Sequence, residues 1–344
     1  MIYNFLKILA KLSIPFYFSS VEINGKENIP KECRPIILAP NHQNAFLDAI
    51  VIAVFYDQPI YFLARASVFK GIFNKFLRAI NMRPVFRMRD GYENLSKNHE
   101  VFDECAQLLK DNKSLLVFPE ADHGEEYYLR KLSRGVPRIV HQAVVHDNLD
   151  VDIIPIGINY THHFFSGGKL FLNFGPPLKV NDGFSSDLKE GAILNDIRSH
   201  IAREVKNLML LPDKDEKYEE AKSFIMKEGR KYDFGSLQQI LLFNKLESSS
   251  PRLLVKVITR FMTIPNLPFY TLIWVILKTK VPDPIFHASI KFAAIMLVAW
   301  LWFVGLFCVV FIWKGILLAL LVLGTCITSA YFRTKCVSST RFYS

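Results

Sequence analysis

Ala39-Pro40-Asn41-His42-Gln43-Asn44-Ala45-Phe46-Leu47-Asp48 is the stretch from which the rest of the chain can be read. A β-branched pair, Ile36-Ile37, rises into it, and an apolar run from Ala49 to Phe55 leaves it with helical character. The stretch therefore reads as a strand, a turn and the start of a helix. His42 falls on the turn and Asp48 in the first turns of the helix. Asn44 stands where an N-cap amide oxygen accepts from the free N–H groups that open a helix. A neutral imidazole beside a carboxylate can take a proton from an alcohol, the acid fixing the tautomer and stabilising the imidazolium that forms. The same two residues, six apart, also fit a capping or structural role, and the pair alone does not choose between them.

A chain of 344 residues holds one soluble domain of about 200 to 250 residues and something further. The composition indicates what that is: 51% hydrophobic residues and a mean hydropathy of +0.19 are high for a purely soluble protein. A net charge of +10 and a pI near 9.2 suit an anionic partner, either nucleic acid or an anionic membrane face. The lysines are dispersed and form no stripe with interleaved aromatics, which argues against nucleic acid. Cys33, Cys105, Cys308, Cys326 and Cys336 show no paired spacing and read as reduced small hydrophobes, with no zinc or disulfide framework. Residues 1–19 are apolar with Lys7 and Lys11 at helical spacing and no small-residue cleavage site. They read as an interfacial helix lying on a bilayer.

Residues 20–212 alternate strand-like and helix-like runs. Ser20–Gly25, Ile60–Arg65, Met82–Gly91, Ser114–Glu120 and Asp152–Ile158 read as strands. Phe69–Ile80, Asn98–Lys110, Val136–Val145 and Leu188–Leu211 read as helices. This is the pattern of an α/β fold, a layered mixed sheet flanked by helices. Sites in such sheets gather beyond the strand ends, so His42, Arg87, Glu120 and Pro155, each in or after a strand, are expected to converge. His141 and His146 lie five apart, about 140° around an α-helix, and do not share one face there, so no metal site is expected. His162-His163 reads as a surface turn, with the border of a cleft as the other reading. No phosphate-binding Gly-rich loop is present to support an ATP-dependent reaction.

Residues 213–285 form a charged connector and a helical or interfacial segment, in which Met262–Leu277 is apolar but holds Pro265 and Pro268. Phe292–Trp313 carries no charge over about 22 positions and Gly315–Phe332 about 18 more, each enough for a helix to cross the roughly 30 Å hydrocarbon layer. Lys314-Gly315 is the break between them, so residues 286–344 read as a transmembrane helical hairpin with a short basic tail. Lys278, Lys280 and Lys291 precede it, and Arg333, Lys335 and Arg341 follow. That excess places both ends, and the large domain, on the cytoplasmic side.

Four short blocks then narrow the function. His42…Asp48, Pro84-Val85-Phe86-Arg87, Phe118-Pro119-Glu120 and Ile154-Pro155-Ile156, in that order over residues 20 to 210, resemble the four motifs of the glycerolipid acyltransferase superfamily. That family includes bacterial lysophosphatidic-acid and glycerol-3-phosphate acyltransferases. The resemblance implies that His42 is the general base for a glycerol hydroxyl, that Asp48 orients it, and that Arg87 binds the acceptor phosphate. It further implies that Glu120, with Arg134 and Gly135, lies at the glycerophosphate site and that Pro155 walls the acyl-donor pocket. The expected partners are acyl-CoA or acyl carrier protein as donor, a glycerophosphate acceptor and the lipid bilayer; no cofactor, metal or nucleic acid is expected. An acyltransferase for another lysolipid, or an inactive acyltransferase-like membrane protein, is the alternative.

Two departures from the family pattern stand out. Five residues rather than four separate His42 from Asp48, which on a helix would rotate the acid by about 100°. Some fungal-type glycerol-3-phosphate acyltransferases share this spacing, which keeps glycerol 3-phosphate among the acceptors. The glycine that usually follows Pro-Glu is Ala121, strained if the turn needs a positive φ unless Gly124 supplies it.

Overall fold

The apolar runs at Ile36, Ser114 and Asp152 become neighbours at the centre of one sheet. The computed structural model describes residues 1–85, 97–122, 124–180, 190–246 and 253–336. Its strands are β1 (Ser20–Asn24), β2 (Ile36–Pro40), β3 (Ile60–Arg65), β4 (Met82–Val85), β5 (Ser114–Leu116), β6 (Asp152–Tyr160), β7 (Lys169–Phe174) and β8 (Leu178–Lys179). They lie in the order β1-β7-β6-β2-β5-β3-β4, with β8 paired to the start of β6. β2 is parallel to both β5 and β6, while β7 runs antiparallel to β6 and parallel to β1. The sheet is mixed, as expected. Every residue of β2 and β6 is buried, which is why both read as continuous apolar runs rather than alternating ones.

Successive side chains of a strand point to opposite faces, and helices cover both. Ile36, Leu38, Ile154 and Ile156 pack under α1 (Ile2–Tyr17) and α2 (Ala45–Phe55), together with Ala288 and Phe292 from the far end of the chain. α3 (Ile72–Ala79) links β3 to β4. Ile37, Ala39, Leu115 and Ile153 pack under α4 (Lys97–Lys110), α5 (Gly135–His141) and α6 (Glu190–Asn207). Ile36, Ile37 and Leu38 are wholly buried, and each such side chain contributes about 1.5–3 kcal/mol. The strand that delivers His42 is thereby anchored from both sides.

Several elements differ from the sequence reading. β5 stops at Leu116 instead of Glu120, since Pro119 has no N–H for the ladder and the chain turns there, with Ala121 N donating to Phe118 O. The expected strand beyond Val85 runs into residues outside those described. β7 and β8 occupy a stretch for which the residue pattern suggested no element. After α5 the chain takes one turn of π-helix, Gln142–His146, whose bonds run from i to i+5. That turn brings the rings of His141 and His146 to 5.7 Å, so the two do share a face, contrary to the α-helical expectation.

α7 (Tyr218–Glu228) and α8 (Phe234–Leu242) pack on Phe171 of β7. Beyond them come α9 (Leu253–Thr263), α10 (Leu267–Lys280), α11 (His287–Ala294), α12 (Trp300–Lys314) and α13 (Ile316–Cys336). Three helical stretches among the described residues are long and apolar enough to cross a membrane: Val257–Lys280, Pro284–Lys314 and Ile316–Cys336. The expected pair is thus joined by a third, the segment holding Pro265 and Pro268. Both prolines sit in the first turn of a helical segment, where a missing N–H breaks no bond, so the segment stays helical. Asn266 between them is buried and donates to Cys326 O at 2.8 Å and Ser329 Oγ at 3.0 Å. Gly315, at φ 82°, makes the break between α12 and α13.

Candidate functional site

The parallel strands β5, β2 and β6 end at one edge of the sheet, and the residues that follow them meet there. Pro40 ends β2 without an N–H. Asn41 then continues the ladder with its side chain, donating through Nδ2 to Ile158 O (2.9 Å) and accepting from Ile158 N (2.6 Å). The chain is fixed on β6 one residue before His42.

Asp48 reaches back from α2 into this turn and is wholly buried. Its Oδ2 lies 2.9 Å from His42 Nδ1 and accepts the N–H groups of Gln43 and Asn44 at 2.7 Å each. Its Oδ1 accepts the Tyr160 hydroxyl at 2.6 Å. Four donors on two oxygens suit a carboxylate, which only accepts. Burial, reinforced by the Asp48 carboxylate, holds the Tyr160 phenol well above its usual range. With Nδ1 engaged by the acid, Nε2 of His42 is the nitrogen that can take up a proton. The ring is stacked on Phe118, 3.7 Å between centroids at 18°.

The additional residue between His42 and Asp48 is taken up by the turn itself. Asn44 sits at φ −143°, ψ 52° and Ala45 at φ 42°, so the helix starts after the excess has been absorbed and the His–Asp contact survives. Asn44 occupies the N-cap position, but its side chain does not cap. Its Nδ2 donates instead to His163 O at 2.9 Å. The side-chain cap comes from Ser289, whose Oγ shares the Leu47 N–H with Asn44 O, each at 3.0 Å.

Glu120 is buried beneath His42. Its Oε1 accepts the His42 backbone N–H at 2.7 Å, and its Oε2 accepts Arg130 Nε at 2.7 Å and Arg130 N at 3.3 Å. Arg130 in turn donates to the carbonyls of His42 and Asp122. Burial pushes the Glu120 carboxyl up, with the Arg130 guanidinium pulling against it. Both oxygens are therefore spent on the protein, and Glu120 clamps the His42 turn. Ala121 takes the left-handed conformation at φ 58°, so the position that the family fills with glycine keeps that backbone with a Cβ in place.

The other expected site residues are less concentrated. Arg87 lies outside the described residues. Arg134 is exposed at the N-cap of α5, with Nη2 3.4 Å from Asn195 Oδ1, and Gly135 N donates to Ser133 Oγ. Ser133 N donates to Pro119 O at 2.7 Å, which ties this loop to the Glu120 turn. Pro155 stands in β6 in register with Ala39, close to Gly175. His162 and His163 are buried, not on a surface turn. His163 stacks on Tyr127 at 4.0 Å, and its ring nitrogens lie 3.1 Å from Gln43 Oε1 and Glu125 O. Burial pushes both imidazoles down to about 4. Among the described residues no group of three or more His, Cys, Asp or Glu is placed to hold a metal. Arg130, Tyr160, His163 and Ser289 escape the motif reading because each meets the turn only through the fold.

Residues 20–159 match the family model described as Acyltransferase, a span that contains His42, Asp48, Glu120 and Pro155. The chain carries an acyltransferase-family domain. It is 25% identical over 199 residues to a chloroplast 1-acyl-sn-glycerol-3-phosphate acyltransferase of Arabidopsis thaliana, covering 57% of this chain and 52% of that one. A chloroplast enzyme of the same description from Brassica napus is 26% identical, covering 49% and 46%. The chain spans about half the length of the curated relatives it matches. A solved structure, the 1-acyl-sn-glycerophosphate acyltransferase PlsC of Thermotoga maritima, is similar at 22% identity and a TM-score of 0.43, covering 58% of this chain and 78% of that one. The acyltransferase domain includes both turns of the site; Ser289 and the apolar helices lie outside it.

Proposed function

We propose that this chain transfers a fatty acyl group from a thioester, acyl-CoA or acyl carrier protein, to the free hydroxyl of lysophosphatidic acid. Glycerol 3-phosphate is the second acceptor to test. The observation that carries this reading is the 2.9 Å contact between His42 Nδ1 and an Asp48 held by three further donors. Nε2 removes the hydroxyl proton as the oxygen attacks the thioester carbonyl. Asp48 stabilises the imidazolium, and collapse of the tetrahedral intermediate expels the thiolate, which takes the proton back from Nε2. An ester C–O bond forms, the C–S bond breaks, and no acyl-enzyme is made. The relatives' names support lysophosphatidic acid as acceptor. The motif order supports Arg87 as the phosphate ligand, with the exposed Arg134 at the rim.

Residues 20–212 form the catalytic domain in this reading, and the three apolar helices anchor it at the cytoplasmic face of the membrane. α1 joins them at the interface. Ile2, Phe5, Ile8 and Leu12 are exposed along one of its faces while Ala10, Ile14 and Tyr17 are buried on the other. The test is the full chain in lipid nanodiscs, assayed with lysophosphatidic acid and glycerol 3-phosphate against both thioester donors. In His42→Ala the membrane-bound protein is retained and kcat falls by at least about a hundredfold, the range for losing a general base. Undiminished turnover in that variant ends the proposal.

A further inference from the structure

The helix that carries His42's partner acid is not capped by its own N-cap side chain. The first N–H groups of an α-helix have no partner within it, and here the N-cap side chain, Asn44, points away to His163 O. Leu47 N, which also donates to Asn44 O at 3.0 Å, is capped from 242 residues downstream. Ser289, in α11 within the apolar stretch Pro284–Lys314, is wholly buried; its Oγ accepts from Leu47 N at 3.0 Å and donates to Asn44 O at 2.9 Å. Two residues on, Lys291 Nζ donates to Phe164 O at 2.9 Å, the neighbour of the carbonyl that holds Asn44. One turn of α11 therefore grips both the start of α2 and the 163–164 segment to which that start is tied. Ala288 and Phe292, on either side of Ser289, pack into the core beneath α2.

The segment gripped is the one under conformational load. Asn44 and Ala45 absorb the additional residue between His42 and Asp48, Ala45 at φ 42°, and Asp48 is the next residue after the capped Leu47. A left-handed alanine persists only where its surroundings over-determine it. We propose that Ser289 is a positioning residue for the His42–Asp48 pair, so that acyl transfer requires the apolar helix Pro284–Lys314 to be docked on the start of α2. This inference rests on the acyl-transfer reading above. It adds that the site is incomplete within the family-matched span and is finished by an element destined for the bilayer.

The full chain in nanodiscs provides the test. Ser289→Ala lowers kcat about ten- to a hundredfold, the scale on which small displacements of a catalytic group act. KM for acceptor and donor stays within about twofold, because substrate contacts are untouched. Ser289→Thr, which keeps the hydroxyl, restores most of the rate. In an Asp48→Asn background Ser289→Ala costs nothing further, since it acts through Asp48; a merely structural role would instead add its loss to that variant and lower its thermal midpoint. Should Ser289→Ala fail to fold, Ser289→Cys, of similar size and weaker hydrogen bonding, is judged by the same cycle. Full additivity, or a wild-type kcat in Ser289→Ala, overturns the inference while leaving the acyl-transfer reading intact. A wild-type chain without acyl transfer overturns both.

Discussion

Two turns at the same sheet edge are built alike and do different things. The turn after β2 and the turn after β5 each carry an alanine in the left-handed region, Ala45 and Ala121. Each is also held by a buried carboxylate that accepts backbone N–H groups of the His42 segment, Asp48 in one and Glu120 in the other. The difference lies in the counter-charge. Among the described residues Glu120 is paired with the guanidinium of Arg130 at 2.7 Å, a cation that is always present. Among the same described residues Asp48 meets only a hydroxyl, two amides and an imidazole. A carboxylate already neutralised cannot respond when a proton arrives nearby, whereas one surrounded by neutral donors keeps its charge for the imidazolium. A carboxylate at the same edge is thus a clamp in one turn and, in the function proposed above, the partner of the general base in the other.

Substitution of each acid's defining partner separates the two roles. Asp48→Asn keeps the size of the side chain but presents an NH2 to a set of donors, and the imidazole loses its orienting charge. We expect kcat for acyl transfer to fall about 10³- to 10⁴-fold with acceptor KM nearly unchanged, as when the acid of a catalytic triad is made an amide. Arg130→Met does the opposite. It leaves Glu120 buried without its cation and is expected to cost about 3 kcal/mol of stability, at the low end for a broken buried pair because Arg130 is partly exposed. Chemical denaturation reads the second and steady-state kinetics the first. A large kcat loss with full stability in Arg130→Met would erase the distinction between the turns.

What was legible beforehand follows from where each partner lies. The His42–Asp48 pair is local in sequence, so the contact between the two can be expected from a ten-residue window. The short apolar runs of β2, β3 and β6, set between helix-like stretches, declare a layered sheet for the same reason. Arg130 and Tyr160 are ordinary residues until the fold brings them to a carboxylate 10 and 112 positions away. The π turn that unites His141 and His146 depends on a shift of hydrogen-bond register, which composition does not encode. Length and polarity identify the apolar helices. That one of them caps α2 depends on docking, and no spacing in the chain announces it.

The two turns also answer pH with opposite sign. His163 backs the β2 turn through Gln43, and burial lowers it from 6.5 to about 4. Between those values the unfolded chain binds the extra proton. The contribution of this group is therefore complete above pH 6.5 and is lost as pH falls toward 4, a swing of about 3 kcal/mol. Glu120 is raised above 4.5, so its contribution is present below that value and is lost as pH rises through its folded value. Thermal midpoints of wild type and His163→Gln, measured from pH 7 to 4, are expected to diverge at the neutral end and converge at the acid end. Parallel curves would show that His163 carries no such load.

The smallest effect is the sharpest test of how the two alanines are held. Ala121 is exposed, and its Cβ gains nothing to offset a φ of 58°, so Ala121→Gly should relieve about 1 kcal/mol of backbone strain. Ala45 has the same sign of φ but is 4% exposed, its methyl packed at the first residue of α2. Glycine there would relieve the strain and lose the buried methyl, worth about 0.8 kcal/mol, along with helix propensity. Ala45→Gly is therefore expected to leave the thermal midpoint unchanged or lower it, while Ala121→Gly raises it by about 1–2 °C for a chain of this size. Equal shifts at the two positions would mean that burial does not distinguish the turns. A lower midpoint for Ala121→Gly would mean that the Glu120–Arg130 clamp needs the stiffer residue to hold the loop beneath His42.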